Sequence, residues 1–245
     1  MNYTWNWGIF LQPTAAGEGT YLGWVLIGLQ WTLMLSLGAW AIALVLGVLV
    51  GIARSVSHRG LAATAAAWIE LFRNIPLLVQ LFLWYFVLPE LLPRELGDAF
   101  KQSDPLAQQF LAALVCLGLF TSARVAEQVR AGIQSLPRGQ RDAGLALGLT
   151  LPQTYRHVML PMALRLIIPP LTSEFLNVFK NSAVATTIGL IELSRQAQQL
   201  VDYTAQPYEA FIAVTLLYVL INATVMLLMR RLERHLRIPG YIAEH

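Results

Sequence analysis

Five stretches of this chain stay apolar for about twenty residues or more, and the polar residues collect in the gaps between them. They cover residues 22–53, 61–88, 106–123 with an extension toward Arg130, 161–184, and 211–229. A helix needs about 20 mostly apolar residues to cross a bilayer, so each stretch is predicted to be a span. The first is interrupted only by small residues such as Gly28, Gly38 and Gly47, which suit close helix packing, and the fifth is clean. The second carries Glu70, Arg73 and Pro76, and the fourth carries Pro169-Pro170, Glu174 and Lys180. The pattern predicts an all-α polytopic membrane protein with about five transmembrane helices, forming a single transmembrane domain over residues 1–245. No internal repeat or soluble domain interrupts it.

The longest polar gap, between the third and fourth stretches, has structure of its own. Residues 138–147 are good helix formers and stop at Gly148. Thr150 then opens a second piece, with Gln153 three positions on to complete a capping box and Pro152 allowed in the first turn. That piece is predicted to end at Leu160-Pro161, where proline bars continuation from the previous turn but can open a new helix. Ala143, Leu145, Ala146, Leu147, Leu149 and Leu151 sit among arginines here with no evident core to cover them, and an exposed apolar knob of this kind marks a partner site.

Composition agrees with a membrane protein: 56% of residues are hydrophobic and only 13% charged, against roughly a quarter charged in soluble domains. Arg54, Arg59, Arg130, Arg138, Arg141, Arg156, Arg230, Arg231, Arg234 and Arg237 fall on one side of the five spans, against Arg94, Lys101 and Arg195 on the other. Cation-rich short loops stay cytoplasmic, so ten against three puts the amino terminus outside, the carboxyl terminus inside and the polar insert in the cytoplasm. The first twenty residues contain no lysine or arginine and hold Trp5, Trp7, Pro13 and Glu18 in place of a charged start and apolar core, so they do not read as a cleavable signal; Trp5 and Trp7 suit the membrane edge. The net charge of +3 and the lack of basic runs interleaved with aromatics exclude nucleic acid as a partner, leaving membrane lipid as the surroundings. Cys116, the only cysteine, rules out an internal disulfide and reads as a small buried hydrophobe.

Charges inside a span cost roughly 2.5–3.5 kcal/mol each, so each needs a partner or a task. Glu70 and Arg73, three apart on one helical face, either neutralise one another or line a substrate path. Pro76 takes the usual helical donor away from the carbonyl of Phe72, and unpaired backbone at membrane depth is tolerated where it lines a cavity, which favours a site near Asn74. In the fourth span a similar break is expected at Pro169-Pro170. Beyond it Glu174, Asn177 and Asn181 recur at helical spacing with Lys180 beside them, either a stripe facing a transport path or a hydrogen-bonded seam between helices. Arg73 or Lys180 would favour an anionic side chain, the arginine having the planar fork that suits a carboxylate. Arg124 and Glu127, three apart near the cytoplasmic end of the third span, read as a structural salt bridge or an interface anchor.

No catalytic or metal site is expected. His58, His157, His235 and His245 stand at no ligand spacing, and there is no His-Glu-x-x-His pattern, serine elbow or cysteine cluster. Lys101 and Lys180 both follow phenylalanine, so neither closes a phosphate-cradling Gly-Lys-Ser/Thr loop. Any ATP that drives this protein must be bound by another chain. A secondary transporter or channel that needs no ATPase is the alternative.

The insert has a specific likeness. Asp142-Ala143-Gly144, the three residues to Gly148, and the onward spacing to Val158 and Leu160-Pro161 reproduce the EAA loop of ABC-importer permeases, with Asp142 where glutamate is usual and Gly144 where the second alanine is usual. Residues 70–80 (Glu70-Leu71-Phe72-Arg73-Asn74-Ile75-Pro76-Leu77-Leu78-Val79-Gln80), Lys180-Asn181-Ser182 and residues 188–193 resemble signatures of the polar amino-acid (histidine/glutamine/glutamate) permeases. Residues 5–10, 120–125, 134–140 and 170–174 are similar to glutamate/aspartate import permeases. The resemblance covers essentially the whole chain. It implies a multi-pass bacterial inner-membrane permease subunit, not itself an enzyme, for polar amino acids with glutamate and aspartate expected. It implies a second homologous permease chain, two ATP-binding subunits that carry the ATP and Mg, and a periplasmic amino-acid-binding protein. It makes Asp142, Ala143, Gly144, Leu147, Gly148 and Pro161 the ATPase-coupling residues, and leaves Glu70, Arg73, Asn74, Glu174, Asn177, Lys180 and Asn181 as substrate-path candidates.

Overall fold

The computed structural model describes residues 3–15, 17 and 19–236. Glu18, Arg237 and His245, used in the sequence reading above, lie outside the described residues. The described residues are helical apart from short connections and contain no strand, only an isolated bridge between Pro13 and Thr20. A short 3-10 turn at Trp7–Leu11 precedes α1 (Tyr21–Ser55) and α2 (Arg59–Asn74). Next, α3 (Leu77–Phe82) runs through a π-turn into α4 (Leu88–Leu91), followed by α5 (Arg94–Gln102) and α6 (Pro105–Gln134). The polar insert forms α7 (Arg138–Ala146) and α8 (Leu151–Thr154), and a π-turn at Tyr155–Met159 leads into α9 (Leu160–Ser182). A 3-10 segment, Ala183–Ile188, precedes α10 (Leu193–Thr204) and α11 (Pro207–Leu236). The helices α1, α6 and α11 are each long and apolar enough to cross a membrane, and two bent helix pairs raise the number to five when each pair counts as one span. The five predicted spans are these.

The proline positions behave differently from one another. At Pro76 the expected break occurs: α2 stops at Asn74 and Ile75 is extended (φ −90°, ψ 131°), the conformation that a following proline ring imposes on its predecessor. At Pro169-Pro170 the expected break does not occur, and α9 carries both prolines inside it. Prolines are tolerated within apolar helices because neighbouring groups and small local adjustments re-satisfy the freed carbonyls. Nor does the insert's second helix end at Leu160-Pro161, because helix continues from α8 through the π-turn into α9. The π-turn widens the spiral immediately before Pro161, which gives the ring room that a regular turn lacks.

The chain divides into two compact units. One comprises residues 1–40, 76–118 and 177–223, the other residues 41–75, 119–176 and 224–245. The first has a dry centre built from Leu35 and Ala39 of α1, Ala113, Cys116 and Leu117 of α6, and Val178 of α9. In lipid, burying a leucine against another leucine gains little over leaving it against an acyl chain, so packing rests on close approach of backbones. Small residues supply that approach: a Cβ on Gly28 would stand 3.1 Å from the Leu193 Cα. In the second unit a Cβ on Gly47 would stand 2.6 Å from Val125 and 2.8 Å from the Ser122 carbonyl oxygen, so α1 and α6 touch backbone to backbone there. The Trp68 indole N–H donates to the Ser122 hydroxyl at 3.1 Å and ties α2 to the same helix.

Candidate functional site

The polar insert is a rigid object. Thr150 and Gln153 form the expected capping box, the Gln153 side chain accepting from the Thr150 N–H at 2.8 Å while the Thr150 hydroxyl accepts from the Gln153 N–H at 3.4 Å. The end of α7 is fixed by two hydrogen bonds, from the Leu149 N–H to the Gly144 carbonyl at 3.2 Å and from the Gly148 N–H to the Leu145 carbonyl at 3.0 Å. This is the Schellman arrangement, and it places Gly148 in the left-handed region at φ 81°, where glycine carries no Cβ penalty. Gly144 faces Thr154: a Cβ there would stand 2.7 Å from the Thr154 Cγ2, so the first helix lies directly on the second. The Tyr155 hydroxyl donates to the Ser55 carbonyl at 3.2 Å and joins the insert to the end of α1.

The outer face of the insert is apolar and uncovered. Leu147 is 82% exposed, Leu145 and Leu151 are also exposed, and so are Asp142, Ala143 and Pro161. Of the six coupling candidates, Asp142, Ala143, Leu147, Gly148 and Pro161 are each exposed, and Gly144 is buried against Thr154.

The polar residues of the spans sort less simply. Glu70, Arg73 and Asn74 are all exposed on the last turns of α2. The Glu70 carboxylate accepts from the Asn74 amide at 2.7 Å, and no Glu70–Arg73 ion pair forms among the described residues. Asn74, at the helix end, competes successfully for that carboxylate from four residues away, one full turn. Glu174 is buried and belongs to the second unit, while Asn177, Lys180 and Asn181, further along α9, belong to the first. Lys180 is exposed and makes no ion pair with a described residue. Asn181 borders a cavity of about 10 Å³ with Leu35, Leu81 and Cys116, room for one water at most and too small for an amino acid. Among the described residues no cluster of His, Cys, Asp and Glu could hold a metal ion.

The Arg124–Glu127 bridge read from the sequence is absent. Arg124 instead joins Glu174, its Nε donating to the carboxylate at 2.7 Å, and Glu127 takes Arg130 at 2.9 Å. For Arg124 a partner on the facing helix prevailed over Glu127 at helical spacing on its own helix, because Glu174 is buried and would otherwise be an unpaired charge. Glu192, inside the 188–193 segment, is fully buried and organises its surroundings. It caps α10 by accepting from the Arg195 N–H at 2.9 Å, and also accepts from the Tyr218 hydroxyl at 2.8 Å and from the Thr186 hydroxyl. Burial pushes its carboxyl above the usual range, against the pull of those donors. Its place just ahead of a helix, three residues before Arg195, is a capping signal legible in the sequence.

Comparison with known proteins fits this geometry. Residues 43–238 match the family described as binding-protein-dependent transport system inner membrane component. The chain is 56% identical over 241 residues to the glutamate/aspartate import permease protein GltJ of Escherichia coli (strain K12), covering 98% of each. It is 35% identical to the glutamine transport system permease protein GlnP of the same strain, over 86% of this chain and 92% of that one. Among solved structures, a chain from the crystal structure of an amino acid ABC transporter with histidines superposes with a TM-score of 0.75 at 32% identity, covering 88% of this chain and 95% of that chain. A chain of the inward-facing MetNI methionine ABC transporter gives 0.74 at 23% identity over 89% and 98%, a likeness of fold.

Proposed function

Because the chain belongs to the family of binding-protein-dependent transport system inner membrane components, we propose that it is the permease subunit of an ATP-driven importer whose substrates are glutamate and aspartate. The observation that carries this reading is the 56% identity, spanning 98% of both chains, to a protein named as a glutamate/aspartate import permease. The exposed Leu145, Leu147 and Leu151 support a companion reading, that the insert seats on a separate ATP-binding chain. In this assembly two such chains bind ATP and Mg, a second homologous permease chain completes the path, and a periplasmic amino-acid-binding protein delivers the substrate. The amino terminus lies outside and the insert in the cytoplasm.

The proposed mechanism is mechanical. Closure of the ATP-binding chains pushes on residues 142–148. The Schellman end and the capping box keep the two short helices from flexing separately, so the push passes through the Gly144–Thr154 contact into the helix that becomes α9. The Tyr155–Ser55 hydrogen bond takes part of it into α1. Glu70, Arg73, Asn74, Glu174, Asn177, Lys180 and Asn181 remain the polar groups available to a substrate path.

The test is uptake of radiolabelled L-glutamate, L-aspartate and L-glutamine into vesicles holding this chain with its genomic partner chains. ATP-dependent uptake of the two acidic amino acids above glutamine is expected. Uptake that persists without any ATP-binding chain would make the protein a secondary transporter and end the proposal.

A further inference from the structure

Arg124 is a charged group that the mechanism above leaves unused. It directly follows the apolar stretch 106–123, at the end of the third predicted span, with Arg130 of the cation-rich side further along α6. A guanidinium at the margin of the apolar layer takes a partner or faces water. Glu174 is the partner, but an incomplete one. It receives only the Nε–H, at 2.7 Å, and neither Nη1 nor Nη2 makes a hydrogen bond to any described residue. The Arg124 side chain keeps 40% of its surface exposed while that of Glu174 keeps 9%, so the carboxylate is enclosed and the guanidinium is not. The Phe120 ring, its centroid 5.8 Å from the guanidinium carbon, adds a second contact that leaves the N–H edge free.

The arrangement holds the arginine by its stem-side nitrogen and presents the terminal edge, with two parallel N–H groups, outward. That edge matches a carboxylate in bidentate geometry, which a lysine could not reproduce. We infer that Arg124 is a specificity-determining residue of the substrate path: its Nη1/Nη2 edge receives a carboxylate of the amino acid in transit, and Glu174 is the positioning residue that aims it. This rests on the acidic amino-acid reading given under Proposed function. Glu174 also lowers the local positive charge, so the incoming carboxylate is bound without being trapped.

The test is equilibrium binding of radiolabelled L-glutamate and L-glutamine to the assembled importer in lipid nanodiscs, without the soluble binding protein, alongside uptake in vesicles. Arg124→Gln should weaken glutamate binding by about 10- to 100-fold, the range expected for losing charge-assisted hydrogen bonds, with Arg124→Lys intermediate. If the loss is confined to glutamate the edge reads the side-chain carboxylate; if glutamine suffers equally it reads the α-carboxylate. Glu174→Gln, which keeps the guanidinium, should retain or tighten glutamate binding. Equal losses in Arg124→Gln and Glu174→Gln would assign the pair to packing and overturn the inference, as would unchanged binding in both Arg124 variants, or a wild-type importer that carries glutamate yet binds none in nanodiscs. A wild-type importer that carries neither acidic amino acid would instead overturn the functional reading itself. ATPase activity and membrane yield of Arg124→Lys establish that the altered protein is assembled.

Discussion

Replacing Gly144 with alanine adds one methyl group, and the structure says where it goes. The new Cβ would stand 2.7 Å from the Thr154 Cγ2 and 3.1 Å from its Oγ1, against a comfortable separation of roughly 3.5–4.0 Å. Thr154 is fully buried, so it cannot swing away into solvent. Overpacking of this kind costs about 1–3 kcal/mol, relieved by sliding α7 off α8. If the strain is released locally, the opening equilibrium of the insert rises by roughly 5- to 150-fold. The amides to watch are those of Leu147, Gly148 and Leu149, whose N–H groups are held by the end of α7. Hydrogen exchange on the assembled importer should show them exchanging faster by that factor, while uptake per ATP hydrolysed falls. Thr154→Ala supplies the control. It removes the offending Cγ2, leaves the Thr154 Cβ at 3.4 Å, and sacrifices a hydroxyl that has no hydrogen-bond partner among the described residues. The double variant should therefore recover slow exchange and coupling, with a favourable interaction energy of about 1–2 kcal/mol in the mutant cycle. Unchanged exchange in Gly144→Ala, or no recovery in the double variant, would refute the claim that the two helices of the insert move as one piece.

Four other outcomes follow from the same geometry. Gly148→Leu forces a side chain into the left-handed region at φ 81°, a local cost of about 1–2 kcal/mol, and should leave ATP hydrolysis running while uptake drops; equal uptake per ATP would count against a coupling role for the end of α7. Leu147→Cys, 82% exposed in the wild type, should cross-link to the ATP-binding chain with a short bifunctional reagent, and persistent failure to capture that chain would remove the docking role. Tyr155→Phe deletes the hydroxyl that bonds the Ser55 carbonyl, a loss of about 1 kcal/mol, and should lower transport per ATP without lowering membrane yield; a coupling ratio equal to wild type would show that the bond carries no force. The Tyr3 phenol is pushed up to about 12 by burial and by the Glu209 carboxylate that it donates to. A raised value means that the contact is fully present below the ordinary tyrosine range near 10 and is lost as pH rises through about 12. The difference in 295 nm absorbance between wild type and Tyr3→Phe should stay flat through pH 10, and a step centred there would mean that the contact is absent.

The spans, the insert and its internal caps were legible in the sequence because each is a local matter. Twenty apolar residues make a span whatever they pack against, Thr150 caps Gln153 three residues away, and Gly148 ends a helix through its own backbone freedom. The break before Pro76 was legible for the same reason, since a proline ring constrains its immediate neighbour. Pro161 and Pro169-Pro170 were not, because whether a helix survives a proline depends on what the surrounding structure offers the freed carbonyls. The sequence alone thus determined a five-span helical membrane chain with a capped polar insert. Only the tertiary structure decided which partners the buried charges take. Arg124 had Glu127 three residues on and Glu174 fifty residues on, and periodicity cannot rank them; the distant carboxylate prevails because helix packing enclosed it, and an enclosed charge must be neutralised. Likewise, what Gly144 does in place of the usual alanine is set by the packing of α7 against Thr154, where the space for a methyl group depends on the distance between two helices and not on either one.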